Sequence, residues 1–231
     1  MKRNLFTFLV VLISFSYSQA QNKIEIPLKN VTQLLPVNVS LSTETYLGKP
    51  SVKVVENIKE SERASFKAES VYAKVKDVTF KNGVIELEVS GKVAPNAPEG
   101  SRGFVGIAFR VQNDDSKFEL IYLRPTNGRA DDQMRRNHSV QYSSFPDYPW
   151  DRLRSETPEK YETYVDLVPG EWTKMKIEVE GDKARLYVHG ATQPTLIVND
   201  LKLGAEQEGG IALWIGPGTE AHFTNLKVTR K

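Results

Sequence analysis

The 231-residue chain contains no cysteine. Its absence removes disulfides, thiol nucleophiles and every cysteine-ligated zinc or iron–sulfur centre. Histidine is scarce as well: His138, His189 and His222 are scattered and suggest no zinc triad. Ser139, His138 and Asp131 make a Ser-His-Asp set on paper, but no G-x-S-x-G elbow accompanies them. The chain also lacks a dominant charge. Of 31 basic residues, Lys2 and Arg3 fall in a leader-like segment without acids, which leaves 29 basic against 29 acidic residues from position 21 onward. Such a balance gives no whole-protein field to attract nucleic acid or anionic lipid, and neither is expected as a partner.

Long apolar runs are missing too, apart from one near the start. MKRNLFTFLVVLISFSYSQA begins with two cations, runs mostly apolar from Leu5 to about Phe15, and ends in Ser18-Gln19-Ala20. This is the pattern of a signal peptide cut after Ala20, and the run falls short of the roughly 20 apolar residues that span a bilayer. Residues 1–20 are therefore expected to direct export, to the periplasm or outside the cell, with no membrane span. The roughly 210 residues that follow are enough to bury a core without disulfides.

Helical periodicity is almost absent from the rest. Period-two alternation recurs instead, in VIELEVSG (84–91), GFVGIAFRVQN (103–113), FELIYLR (118–124), SVQYSSF (139–145), WTKMKIEVE (172–180), KARLYVHG (183–190), TLIVNDL (195–201), GGIALWIG (209–216) and AHFTNLKV (221–228). Turn residues separate them, as in Lys81-Asn82-Gly83, Pro169-Gly170 and Gly216-Pro217-Gly218. The pattern predicts an all-β fold, a β-sandwich of two antiparallel sheets, with residues 51–231 as one domain. Residues 21–50 carry Pro27, Pro36 and Pro50 and read as an N-terminal edge strand or a tether.

The C-terminal order sharpens this. Trp172 opens a strand, a hairpin ends in Tyr187-Val188-His189-Gly190, Gly210 to Trp214 forms a G-x-I-x-L-type strand, and Phe223-Thr224-Asn225-Leu226 lies in the last one. These features resemble concanavalin A-like and laminin-G-like jelly rolls, and the secreted bacterial 3-keto-disaccharide hydrolases among them. The resemblance covers most of residues 70–231. It implies a concanavalin A-like jelly-roll sandwich and an exported carbohydrate-active domain that binds or cleaves a sugar on a concave sheet face. A non-catalytic glycan-binding or adhesion module is the alternative, since this fold hosts all of these functions.

Alternation nominates the residues of that face. If Val105, Ile107, Phe109 and Val111 point to the core, then Gly106, Ala108, Arg110 and Gln112 point outward. The same logic turns Tyr122 and Arg124 outward beside Ile121 and Leu123, and Ala212 and Trp214 outward beside Ile211, Leu213 and Ile215. An indole flanked by small residues suits a pyranose face, with nearby polar groups for the hydroxyls. The segment YLRPTNGRADDQMRRNHSVQY (122–142) adds Asn127, His138 and Gln141 as candidate sugar contacts. It is expected as a strand end, a charged loop and a returning strand, its aspartates paired with Arg129, Arg135 or Arg136. In the adhesion reading Arg135 and Arg136 would meet a protein partner.

Glycoside hydrolysis ordinarily uses two opposed carboxyl groups. The E-x-D-x-x-E signature of family 16 glycosidases is absent, and spacing selects no pair; Asp131, Asp132 and Glu119 are the candidate catalytic acids, with Asp166 behind them. No cofactor is expected. The acidic turn Asn113-Asp114-Asp115 offers calcium-like oxygens, and serves as well as plain turn chemistry.

Overall fold

A computed structural model describes residues 22–58, 70–95 and 97–231; the expected leader at 1–20 lies outside them. The described chain forms β1 (Asn22–Ile26), β2 (Leu34–Val37), β3 (Val39–Tyr46), β4 (Lys49–Glu56), β5 (Tyr72–Val75), β6 (Gly83–Val93), β7 (Val105–Val111) and β8 (Phe118–Leu123). Two short helices follow, α1 (Pro125–Gly128) and α2 (Gln133–Asn137), then β9 (Val140–Phe145), α3 (Trp150–Glu156) and β10 (Glu162–Thr163). The last strands are β11 (Thr173–Glu180), β12 (Lys183–Val188), β13 (Leu196–Val198), β14 (Gly210–Ile215) and β15 (Thr219–Arg230).

These strands build two antiparallel sheets. One has eight strands in the order β13-β12-β11-β6-β15-β4-β3, with β1 also paired to β15. The other has seven, in the order β10-β9-β8-β7-β14-β5-β2. The segment from 22 to 50 supplies β1 and β3 to the first sheet and β2 to the second. Between the sheets lies the main core, where Ile85, Leu87, Ile177 and Val179 meet Ile107, Phe109, Ile121 and Leu213. The alternation read from the sequence delivers these aliphatic residues to one face, which is why the two sheets can close on each other.

The expected charged loop contains helices instead. Pro125 occupies the first turn of α1, where its missing N–H costs nothing. Asp132 caps α2, its carboxylate accepting from the Arg135 backbone N–H at 3.0 Å. The expected Asp–Arg pairs do not form: Arg129 makes a two-pronged bond to Asp166, at 2.8 Å for each contact. Gly128 is required by packing, because a Cβ there would stand 2.4 Å from the Leu167 backbone nitrogen.

Candidate functional site

On its outer face the seven-stranded sheet carries a second apolar cluster of Tyr72, Ala108, Val111, Phe118, Leu120, Tyr122, Phe145, Ala212 and Trp214. The cluster follows from small residues on one strand and rings on its neighbours. Gly106 pairs with Tyr122 on one side and with Trp214 on the other. With no side chain between them, the two rings approach to 5.0 Å between centroids at 46°. A Cβ on Gly106 would come within 2.5 Å of the Tyr122 Cβ.

Over these rings opens a cavity of about 540 Å³. Leu120, Tyr122, Phe145, Phe104 and Trp214 line it, with Pro98-Glu99-Gly100-Ser101, Pro149-Trp150-Asp151 and Pro217 completing its walls. Depressions of similar volume elsewhere are lined mainly by polar and aliphatic side chains. This cavity combines two tryptophans, a tyrosine and two carboxylates. Trp150 stands at its rim, 44% exposed.

Beside the cavity the polar groups form a connected cluster. Arg124 donates to the Tyr122 hydroxyl at 2.9 Å, to Gln141 Oε1 at 3.2 Å and to the His138 carbonyl at 3.0 Å. Asn127 donates to the same carbonyl at 3.1 Å. The guanidinium of Arg154 grips Glu162, with Nη2 at 2.6 Å from Oε2, and His138 Nδ1 lies 2.8 Å from the same oxygen. Arg124 and Arg154 also back the Trp150 ring, at 5.8 and 4.8 Å from its centroid. Burial pushes the Tyr122 phenol above its ordinary range, although the adjacent Arg124 pulls the other way. It holds the His138 imidazole below its ordinary value, with Glu162 opposing and the two arginines assisting.

Tyr122, Arg124, Asn127, His138, Gln141 and Trp214 therefore converge at one end of the outer face, with Tyr122 and Trp214 in the cavity itself. Arg110 does not join them. It has φ +55° at a register shift where β7 meets β14, a bulge that breaks the alternation. Val111 consequently takes the outward place, while Arg110 is fully buried and donates to the carbonyls of Gly181, Gly204 and Lys81.

Of the candidate acids, Glu119 faces the interior, where it accepts from the Tyr142 hydroxyl at 2.7 Å and the Leu203 N–H at 2.9 Å. Burial raises its carboxyl above the usual range. Paired with Phe109 of β7, it sits on the core side that strict alternation assigns to odd positions of β8. Asp131 and Asp132 are exposed near α2 and do not line the cavity. Asp114 closes its turn onto Ser116, and Asp115 bonds Tyr72 and Lys74. No cluster of three metal-ligating side chains occurs among the described residues.

The sequence reading missed Glu99, Asp151 and Glu162. Asp151 follows Trp150 in the aromatic connection after β9 and has no periodicity to reveal its direction. Glu162 belongs to a two-residue strand, too short for a pattern, and only its pairing with Gln141 brings it beside the cluster.

Several solved structures share this fold. The carbohydrate-binding module CBM66 from Bacillus subtilis is 12% identical with a TM-score of 0.51, the alignment covering 84% of this chain and 96% of that one. The Bacillus licheniformis beta-glucanase is 13% identical, TM-score 0.52, with coverage of 92% and 100%. A glycosyl-hydrolase candidate from Parabacteroides distasonis ATCC 8503 is 14% identical, TM-score 0.51, with coverage of 90% and 100%. Among curated proteins none matches in sequence. No helix of the described residues is long and apolar enough to cross a membrane. The model of the 3-keto-alpha-glucoside-1,2-lyase-like domain matches residues 47–229, and the chain belongs to that family of carbohydrate-active domains.

Proposed function

We propose that the aromatic cavity on the seven-stranded sheet binds a sugar, and that the domain, exported by its N-terminal leader, acts on a glycoside containing a keto sugar. The observation that carries this reading is the cavity itself. Its indole and phenol rings suit the C–H faces of a pyranose, and Glu99 and Asp151 stand on its walls to accept from hydroxyls. The volume of about 540 Å³ accommodates a sugar of one or two units. The keto-sugar class follows from the family to which residues 47–229 belong.

Trp150 is the cleanest handle because its exposure lets it be truncated without opening the core. Trp150→Ala is expected to weaken binding of a 3-keto-glycoside by about tenfold to a hundredfold in calorimetric titration, the scale of one aromatic anchor. An unchanged affinity would remove the cavity from consideration.

A binding module without catalysis is the second reading. It is favoured by the way Tyr122, Arg124 and Gln141 already satisfy one another. Binding without product release from a 3-keto-glycoside is its signature. The adhesion reading is weaker, because Arg135 bonds Asn127 and Thr126 while Arg136 bonds Tyr164.

A further inference from the structure

The cavity over the seven-stranded sheet is charged on one side only. Among the described residues its lining includes two carboxylates, Glu99 and Asp151, and no lysine, arginine or histidine. The acids come from separate connections, Glu99 from the one between β6 and β7 and Asp151 from the first turn of α3. Both are exposed, and neither carboxylate makes a hydrogen bond or an ion pair among the described residues. Asp151 caps nothing, since Pro149 holds the N-cap of α3 and no side chain bonds there.

The nearby cations have other partners. Arg102 donates to the Ser101 carbonyl at 3.1 Å. Arg152 pairs with Glu156 at 2.7 Å, its guanidinium 4.5 Å from the centre of the Tyr148 ring. Arg124 and Arg154, which back the Trp150 ring, share Glu162 at 4.0 and 2.6 Å and do not line the cavity. Aromatic faces attract cations, and a cleft lined by one sign of charge over apolar walls focuses that field. Rings and carboxylates together therefore favour an ammonium group and oppose an anion.

We infer that the cavity selects its glycoside by charge. It takes a sugar unit bearing an ammonium group, as in an amino sugar, ahead of a neutral one. It rejects units bearing carboxylate, sulfate or phosphate. The selection rests on the sugar-cavity reading above and adds to it the class of substituent. Glu99 and Asp151 are the residues that determine specificity, while the rings hold the pyranose face common to all three kinds of ligand. Because both carboxylates are exposed, water and salt screen them, and the discrimination is modest and salt-dependent.

The experiment is calorimetric titration with disaccharides that share a 3-keto-glucosyl unit and carry glucosamine, glucose or glucuronic acid as the second unit. It is run at about pH 6, where the amine holds its proton and the uronic acid is ionised. In low salt the glucosamine compound is expected to bind about three- to tenfold more tightly than the glucose compound. The glucuronic acid compound should bind more weakly by a similar factor. Raising salt to about 0.5 M should bring all of them within about twofold of one another. The double substitution Glu99→Gln, Asp151→Asn should do the same in low salt, because it keeps both shapes and removes both charges. Either substitution alone should narrow the spread, so the test holds even if the double variant folds poorly.

Equal affinities in the wild-type protein, or a preference for the glucuronic acid compound, overturn the charge selection and leave the sugar reading standing. A spread that persists in the double variant overturns the assignment of Glu99 and Asp151. If none of the disaccharides binds, both readings fall.

Discussion

Along β11 buried and outward-facing residues alternate from Thr173 to Glu180, whereas along β8 every residue from Phe118 to Leu123 is buried. The two strands lie in opposite sheets. Outward from β11 stand Lys174 and Lys176, opposite Glu88 and Glu86 of β6, followed by Glu178 and Glu180, opposite Arg185 and Lys183 of β12. That is a charge-complementary ladder on a wetted face, each rung contributing about 0.2–1 kcal/mol. Outward from β8 stand Phe118, Leu120 and Tyr122, packed with Tyr72, Phe145 and Trp214. A sandwich needs only one apolar face per sheet. The seven-stranded sheet has two, and the cavity opens over the second.

This contrast predicts unequal responses to substitution. Trp214→Ala should lower unfolding stability by about 3–5 kcal/mol in urea titration and abolish sugar binding, because the ring is both packed and in the cavity. Trp214→Phe separates the roles by keeping most of the packing. A loss near zero for the alanine variant would mean that the outer face is not a core. Arg110→Met should cost about 3 kcal/mol, since three backbone carbonyls lose their donor and Glu119 loses a nearby cation. Its affinity for sugar should be unchanged, and weakened binding would return Arg110 to the site. On the wetted sheet, Lys176→Ala should move stability by no more than about 0.5 kcal/mol. A larger loss there would erase the distinction between the faces.

Alternation in β14 correctly separates Ile211, Leu213 and Ile215 from Ala212 and Trp214, because that strand pairs without interruption from Ile211 onward. In β7 the same reasoning succeeds through Phe109 and fails at Arg110, where a bulge shifts the parity. The helices were invisible as periodicity since none exceeds seven residues. Their traces were local: Pro125 at a helix start and Asp132 as a cap. Glu119 was nominated for its charge, and its position opposite Phe109 shows why charge alone misleads inside a strand.

Strand content, the facing of most strands and the family-like order at the C-terminus are properties of neighbouring residues, so the sequence by itself determined them. Period two is a local consequence of the pleat. Which carboxylate meets which histidine is another matter. Glu162 reaches His138 because β10 pairs with β9, and Trp150 reaches Arg124 because α3 packs beside the end of the sheet. Tertiary structure alone decided those meetings, since they depend on strand pairing and helix placement that no local pattern encodes.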